Sequence, residues 1–166
     1  KPYLVVNVRP FQENGDSLEA IRDVVFAFAE KHDLAILGVP MQPVDENAMK
    51  EWEAFDADGR LAILPQDAPY PVFLRALRDA AALVSMRLHT NLFAHRVGKA
   101  PVGIAYDPKL TGHFTQLGRE EFAVEMPVDR DQLWHRLSAA FNSGDLDEQT
   151  VEAVRELERQ ANDTLQ

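Results

Sequence analysis

The chain contains no cysteine, so neither a disulfide nor a thiolate-ligated metal can form in it. It has no uninterrupted apolar run near the roughly 20 residues that a membrane-spanning helix needs. Positive charge is scarce: 17 lysines and arginines stand against 27 aspartates and glutamates, a formal net charge of −10. That balance argues against a nucleic-acid-binding surface, which needs clustered cations, and against simple electrostatic attachment to anionic lipid. It leaves an anionic small molecule open, because a few arginines in a cleft dominate the local field. The lack of cysteine fits a reducing compartment. The chain opens at Lys1 rather than methionine and enters an apolar run at once, so it is expected to be a fragment or a processed product.

What remains is a sequence of 166 residues, enough for one domain over 1–166 with a hydrophobic core of its own. Short apolar runs alternate with segments of helical period. The runs Tyr3–Val8, Leu34–Val39, Arg60–Leu64, Ala82–Ser85, Pro101–Tyr106 and Phe122–Val124 are expected strands, the last at an edge. A polar loop containing Asn14-Gly15 leads to a helix over about 17–31, capped by Asp16 or Ser17. Further helices are expected from Asp45 to about Phe55, Pro71 to Ala81, near Arg87, Pro108 to Leu117, after Asp129 to Phe141, and Gln149 to Asn162. The final helix is strongly charged and turns Val151, Val154 and Leu157 inward.

Strands apolar on both faces and separated by helices form a parallel sheet covered on both sides. Six such units predict a Rossmann-like α/β fold with strand order 3-2-1-4-5-6. Its topological switch point lies between the first and fourth strands, and ligands bind there beyond the carboxyl ends of the strands. Arg9 follows the first strand, Arg87 and His89 the fourth, Asp107 and Lys109 the fifth. These side chains are expected to meet in one crevice. The helix beginning near Arg87 adds free N–H groups and a positive dipole end, which favour phosphate or carboxylate. Two arginines could grip such groups, and a histidine beside them could move a proton near neutral pH.

Plainer roles stand beside these. Arg9 could cap a strand end or pair with a surface carboxylate. Arg87 and His89 could be ordinary first-turn residues, and Lys109 an exposed lysine after Pro108. Met86 is expected to pack in the core. His95 lies six residues after His89, poor spacing for a two-histidine metal site, and His32, His113 and His135 are expected at the surface or as satisfied polar groups.

At this point the sequence resembles the polysaccharide pyruvyl transferase family, most closely its CsaB-type members. The segments that carry the likeness are Leu83-Val84-Ser85-Met86-Arg87-Leu88-His89, Asn91-Leu92-Phe93-Ala94, and Gly98 through Lys109 with its Tyr106-Asp107-Pro108-Lys109 ending. Phe114 and Gln116-Leu117-Gly118 close the specific stretch, and Val5-Val6-Asn7-Val8-Arg9-Pro10 looks like the start of the family's second domain. The resemblance implies the C-terminal, donor-binding half of a GT-B-like enzyme, with the family's N-terminal domain absent from this chain. It implies transfer of the enolpyruvyl group of phosphoenolpyruvate to a terminal sugar as a cyclic ketal, with release of phosphate.

The implied acceptor is a cell-wall or surface polysaccharide, often lipid-linked, whose ketal pyruvate anchors surface-layer proteins in CsaB-type systems. The family's Arg-Leu-His triplet carries onto Arg87, Leu88 and His89, with Arg87 and His89 as catalytic residues. Substrate binding carries onto Arg9, Arg87, Leu88, His89 and Lys109. His89 is the candidate acid, or equally a neutral hydrogen-bond donor to phosphate. Phosphoenolpyruvate is the donor substrate, with no other cofactor and no metal. The implied location is the cytoplasm, with attachment at the inner face of the membrane left open. Two alternatives stand: a nucleotide-sugar glycosyltransferase domain of GT-B type, and a noncatalytic anion-binding module.

Overall fold

A computed structural model describes residues 1–10 and 15–165. Six strands form one parallel sheet: β1 (Tyr3–Asn7), β2 (Ala35–Gly38), β3 (Leu61–Ile63), β4 (Ala82–Ser85), β5 (Val102–Ala105) and β6 (Ala123–Glu125). Their order is β3-β2-β1-β4-β5-β6, the predicted 3-2-1-4-5-6 order, with β6 at the edge. Seven helices connect and flank them: α1 (Gly15–His32), α2 (Pro43–Lys50), α3 (Tyr70–Arg78), α4 (Leu88–Arg96), α5 (Pro108–Gln116), α6 (Arg130–Ser143) and α7 (Glu148–Leu165). The architecture is a Rossmann-like α/β domain.

The register explains why the first and fourth strands define the crevice. β1 pairs with β2 on one side (Val5 with Leu37) and with β4 on the other (Val6 with Val84, Asn7 with Ser85). Chain connections therefore leave β1 in opposite directions across the sheet. The loops after β1 and β4 part at their carboxyl ends, which leaves a gap for a ligand.

Two apolar layers enclose the sheet. Leu4, Val6, Val84 and Ile104 face Ile21, Val25 and Phe28 of α1, Leu133 and Leu137 of α6, and Phe114 of α5. Val5 and Leu83 face Phe73 and Leu77 of α3 and Ala94 of α4. Full burial of such side chains contributes roughly 1.5–3 kcal/mol each. Gly103 on β5 is required by packing: a Cβ there would meet the Phe114 ring at 2.8 Å and Leu110 at 2.9 Å.

Element boundaries depart from expectation in instructive ways. Asn14 of the expected loop lies outside the described residues. α1 starts earlier than 17, and Ser17 does not cap it: its hydroxyl accepts the Val128 N–H at 3.0 Å, tying α1 to the chain before α6. The expected helix from Asp45 divides into α2, which begins at Pro43, and a 3₁₀ turn over Glu51–Phe55 that buries Trp52. Phe122 lies in a 3₁₀ turn, and the sixth strand starts one residue later. On α7, Val154 is buried, with Val151 and Leu157 partly so. No helix among the described residues is long and apolar enough to cross a membrane.

Candidate functional site

The crevice is organised by Asn7, the last residue of β1. A polar side chain fully buried in an apolar strand needs partners, and Asn7 has them on both sides. Its Oδ1 accepts the Arg87 N–H at 3.0 Å and the Ser85 hydroxyl at 3.2 Å; its Nδ2 donates to the Val39 carbonyl at 3.0 Å. Asn91 completes the turn from inside α4, donating to the Ser85 and Arg87 carbonyls at 3.2 and 3.0 Å. The β4–α4 connection is thus pinned by two asparagines. Arg87 sits at the N-cap of α4 in extended backbone conformation, and no side chain caps the helix there. The first-turn N–H groups stay open, with the positive end of the helix dipole behind them.

Arg87 itself turns away from β5. Its Nη2 donates to Asp45 Oδ1 at 2.6 Å and its Nε to Asp45 Oδ2 at 3.1 Å, a two-point grip on a carboxylate that is 0% exposed. Nη2 also reaches Gln42 Oε1 at 3.3 Å. From sequence Asp45 has only a place at a helix start; its pairing with Arg87 emerges from the fold.

Arg9 points the other way. It is half-buried, its backbone N–H meets Met86 Sδ at 3.5 Å, and its guanidinium lies 4.9 Å from the centre of the Tyr106 ring while Nη1 donates to the Tyr106 hydroxyl at 3.2 Å. Its Nε is buried without a partner. Lys109 is exposed in the first turn of α5, a helix capped by the Asp107 carboxylate accepting the Lys109 N–H at 2.9 Å. Leu88 is partly buried and packs its side chain against the main core.

Ion pairing separates these cations from the rest. Among the described residues, every lysine and arginine has a carboxylate within ion-pair distance except Arg9, Lys31, Lys109 and Arg119. Two of those four, Arg9 and Lys109, follow strands β1 and β5 at the crevice. In a chain this acidic, cations left without a carboxylate at one edge make a local positive field.

His89 is exposed in the first turn of α4 and lines one end of a groove of about 540 Å³ between α4, α5 and α7. Its wall includes Leu92, Phe93, Val154 and Leu157, and His113 faces it from α5. Behind His113 lies His95, 1% exposed, with Nδ1 at 2.7 Å from His113 Nε2. Burial holds both imidazoles below their ordinary range; His95 is pushed down to about 2, helped by the charges of His113 and Arg119. His113, expected at the surface or satisfied, is the half-buried partner in this pair. Among the described residues no group of three or more histidines, aspartates or glutamates is placed to hold a metal.

The geometry brings Arg9, Arg87 and the α4 start to the switch point, with Lys109 one strand further along. It sets His89 at the mouth of the α4–α7 groove. The residues that sequence reasoning undervalued are Asn7 and Asp45. A polar residue closing an apolar strand was the available signal for the first; for the second there was none beyond its place after Pro43.

No protein-family model matches the chain, and no curated protein matches it. Solved structures do. UDP-GlcNAc 2-epimerase from Methanocaldococcus jannaschii, in complex with UDP-GlcNAc and UDP, superposes with a TM-score of 0.66 at 16% identity, covering 96% of this chain and 46% of that one. A second structure of the same enzyme gives 0.67 at 15% identity over 97% of this chain and 45% of that one. The chain therefore spans less than half the length of these enzymes. The likeness is one of fold: this domain has the architecture of one half of a GT-B-like enzyme.

Proposed function

We propose that this chain is the donor-binding half of a polysaccharide pyruvyl transferase, and that phosphoenolpyruvate sits at the start of α4. The observation that supports it is that Arg9 and Lys109, which follow β1 and β5, have no carboxylate within ion-pair distance among the described residues, while the α4 start that follows the intervening β4 has no side-chain cap. Phosphoenolpyruvate is a compact multiple anion, and such a ligand is held by several preorganised donors in a confined site. In this reading Arg9 and Lys109 take its phosphate and carboxylate, the first-turn N–H groups of α4 take a further oxygen, and Arg87 offers Nη1.

Ketal formation then needs a proton on the methylene carbon, which leaves cationic character at the central carbon. One sugar hydroxyl attacks that carbon and loses its proton, the C–O bond to phosphate breaks, and a second hydroxyl closes the ring with loss of its own proton. His89 is the exposed titratable group beside the helix start and is assigned the first proton transfer. The acceptor is a terminal sugar of a surface polymer, lipid-linked and met at the inner face of the membrane. An N-terminal half supplies the opposite wall of its site.

A nucleotide-sugar donor is the second reading, and one observation favours it. A pocket of about 230 Å³ lined by Met41, Leu64, Tyr70, Phe73 and Phe93 lies past the carboxyl ends of β2 and β3, and its rings suit a planar base. Thermal stabilisation of the 166-residue chain by phosphoenolpyruvate, set against a panel of nucleotide sugars, decides between them. We expect the larger shift with phosphoenolpyruvate; a larger one with any nucleotide sugar overturns the proposal.

A further inference from the structure

The Asp45 carboxylate is wholly buried and accepts four hydrogen bonds. Its carboxylate accepts from Arg87 Nε and Nη2, from the Met41 N–H at 3.1 Å, and from Asn7 Nδ2 at 3.5 Å. Three separate pieces of chain meet on it: the end of β1, the loop after β2, and the start of α4. Arg87 is consequently fixed at every point but one. Asn7 holds its N–H, Asn91 and Ser85 hold its carbonyl, and Asp45 holds one whole edge of its guanidinium. Nη1 is the nitrogen that makes no hydrogen bond within the described chain.

We infer that Asp45 is a positioning residue for the anion site: by gripping the Nε and Nη2 edge of Arg87 it leaves Nη1 as a fixed donor to the ligand. The inference rests on the reading of the crevice as the phosphoenolpyruvate site. An arginine side chain has many rotamers, and an ungripped Arg87 would have to be ordered when the anion arrives. The buried carboxylate meets that ordering cost at folding, so binding does not. Asp45 also offsets the charge of Arg87 in a place where Arg9, Lys109 and the α4 dipole already gather positive potential.

Asp45→Asn separates these two effects, because they have opposite signs. Removing a negative charge from beneath an anion site favours the anion. Replacing one carboxylate oxygen by a donor amide takes away part of the fork and sets Arg87 loose. Preorganisation is the larger effect if Asp45 acts as inferred.

The test is a double-substitution cycle on phosphoenolpyruvate affinity, measured by calorimetry with the 166-residue chain. Asp45→Asn is expected to weaken binding about tenfold, the size of one charge-assisted hydrogen bond. In a chain already carrying Arg87→Ala, Asp45→Asn should change affinity less than about twofold, since a residue that acts through Arg87 has nothing left to act on. Circular dichroism and the urea midpoint establish that each variant is folded, and Asp45→Glu is the fallback if the asparagine variant is not. Unchanged or tighter binding in the single variant overturns the inference. So does an effect of equal size with and without Arg87, which is what a merely structural role predicts. Wild-type chain that binds inorganic phosphate but not phosphoenolpyruvate ends the pyruvyl-transfer reading and leaves the cycle to be read with phosphate. A chain that binds neither overturns both.

Discussion

At the first turn of α4, His89 is exposed, no side chain caps the helix, and the neighbouring Arg9 and Lys109 have no carboxylate partners. At the last turn of the same helix, His95 is buried against His113, Arg96 is paired with Glu158 at 2.6 Å, and Gly98 turns the chain at φ 83°. The Gly98 carbonyl then accepts the Leu146 N–H at 2.9 Å, and Lys99 pairs with Asp145, fastening the start of α7. Both ends of one short helix carry histidine and arginine. At one end Arg96 is ion-paired and His95 meets His113 through Nδ1 while its buried Nε2 has no partner; at the other Arg87 is paired and His89 is exposed. Open donors at a helix start cost stability unless water or a ligand takes them. The difference teaches where to look for binding: the open end presents the donors that a ligand could take, and the closed end is tied to α7 by ion pairs and backbone hydrogen bonds.

The comparison breaks most decisively at His89. In the longer enzyme that the family reading implies, His89→Ala is expected to lower turnover roughly 10²-fold, the usual scale for a positioned acid or base. The unfolding midpoint of the 166-residue chain should barely move, within about 0.5 kcal/mol for an exposed first-turn side chain. Near-normal turnover would remove the catalytic assignment. A large loss of stability would mean that the open end is structural after all.

Acid sharpens the same contrast at the other end. The native His95 resists protonation down to about 2, whereas in the unfolded chain it titrates near the ordinary 6.5. Below 6.5 the unfolded state therefore binds a proton that the native state refuses, and stability falls as pH falls. For one such group the loss is about 1.4 kcal/mol per pH unit, starting near 6.5, and His113 adds to it in the same direction. Urea midpoints taken between pH 7.5 and 5.5 should show this slope. The carboxylates held low by partners, Asp23, Asp33, Glu46 and Asp147, lose their contribution only below the carboxylate range and do not enter this window. His95→Gln should reduce the slope to the part that His113 contributes; an undiminished slope assigns the effect elsewhere.

The sequence revealed the two ends of α4 unequally, for a physical reason. Strand order was legible because runs such as Leu83-Val84-Ser85 are apolar on both faces, and parallel sheets bury both. The open end was legible for the same reason as the order: once β1, β4 and β5 are placed, the residues just past them must share an edge. What could not be read is pairing between side chains far apart in sequence. Arg87 meets Asp45 across 42 positions, and His95 meets His113 from a different helix. Periodicity says that such residues point inward, but not which partner satisfies them. Arg87 was therefore expected as a free ligand, although its charge is already matched inside the fold.

The smallest expected effect lies at the closed end and concerns the Arg96–Glu158 pair that joins α4 to α7. Its geometry is close, at 2.6 Å, and the Glu158 carboxylate holds the Arg96 guanidinium more firmly protonated. Yet the two side chains are 50% and 39% exposed, so water and salt screen most of the Coulomb attraction. Glu158→Gln should therefore cost less than about 1 kcal/mol, and the difference should fade in 1 M salt, where the screening length is about 3 Å. What fastens α7 to α4 in this view is the burial of Val154 and the partial burial of Leu157, with Phe93 partly covered beside them. Val154→Ala, read in the same urea experiment, should exceed Glu158→Gln. If the charge substitution proves the larger, the groove beside His89 is held by electrostatics, and its width would then respond to salt at the very end of α4 where the donor is proposed to bind.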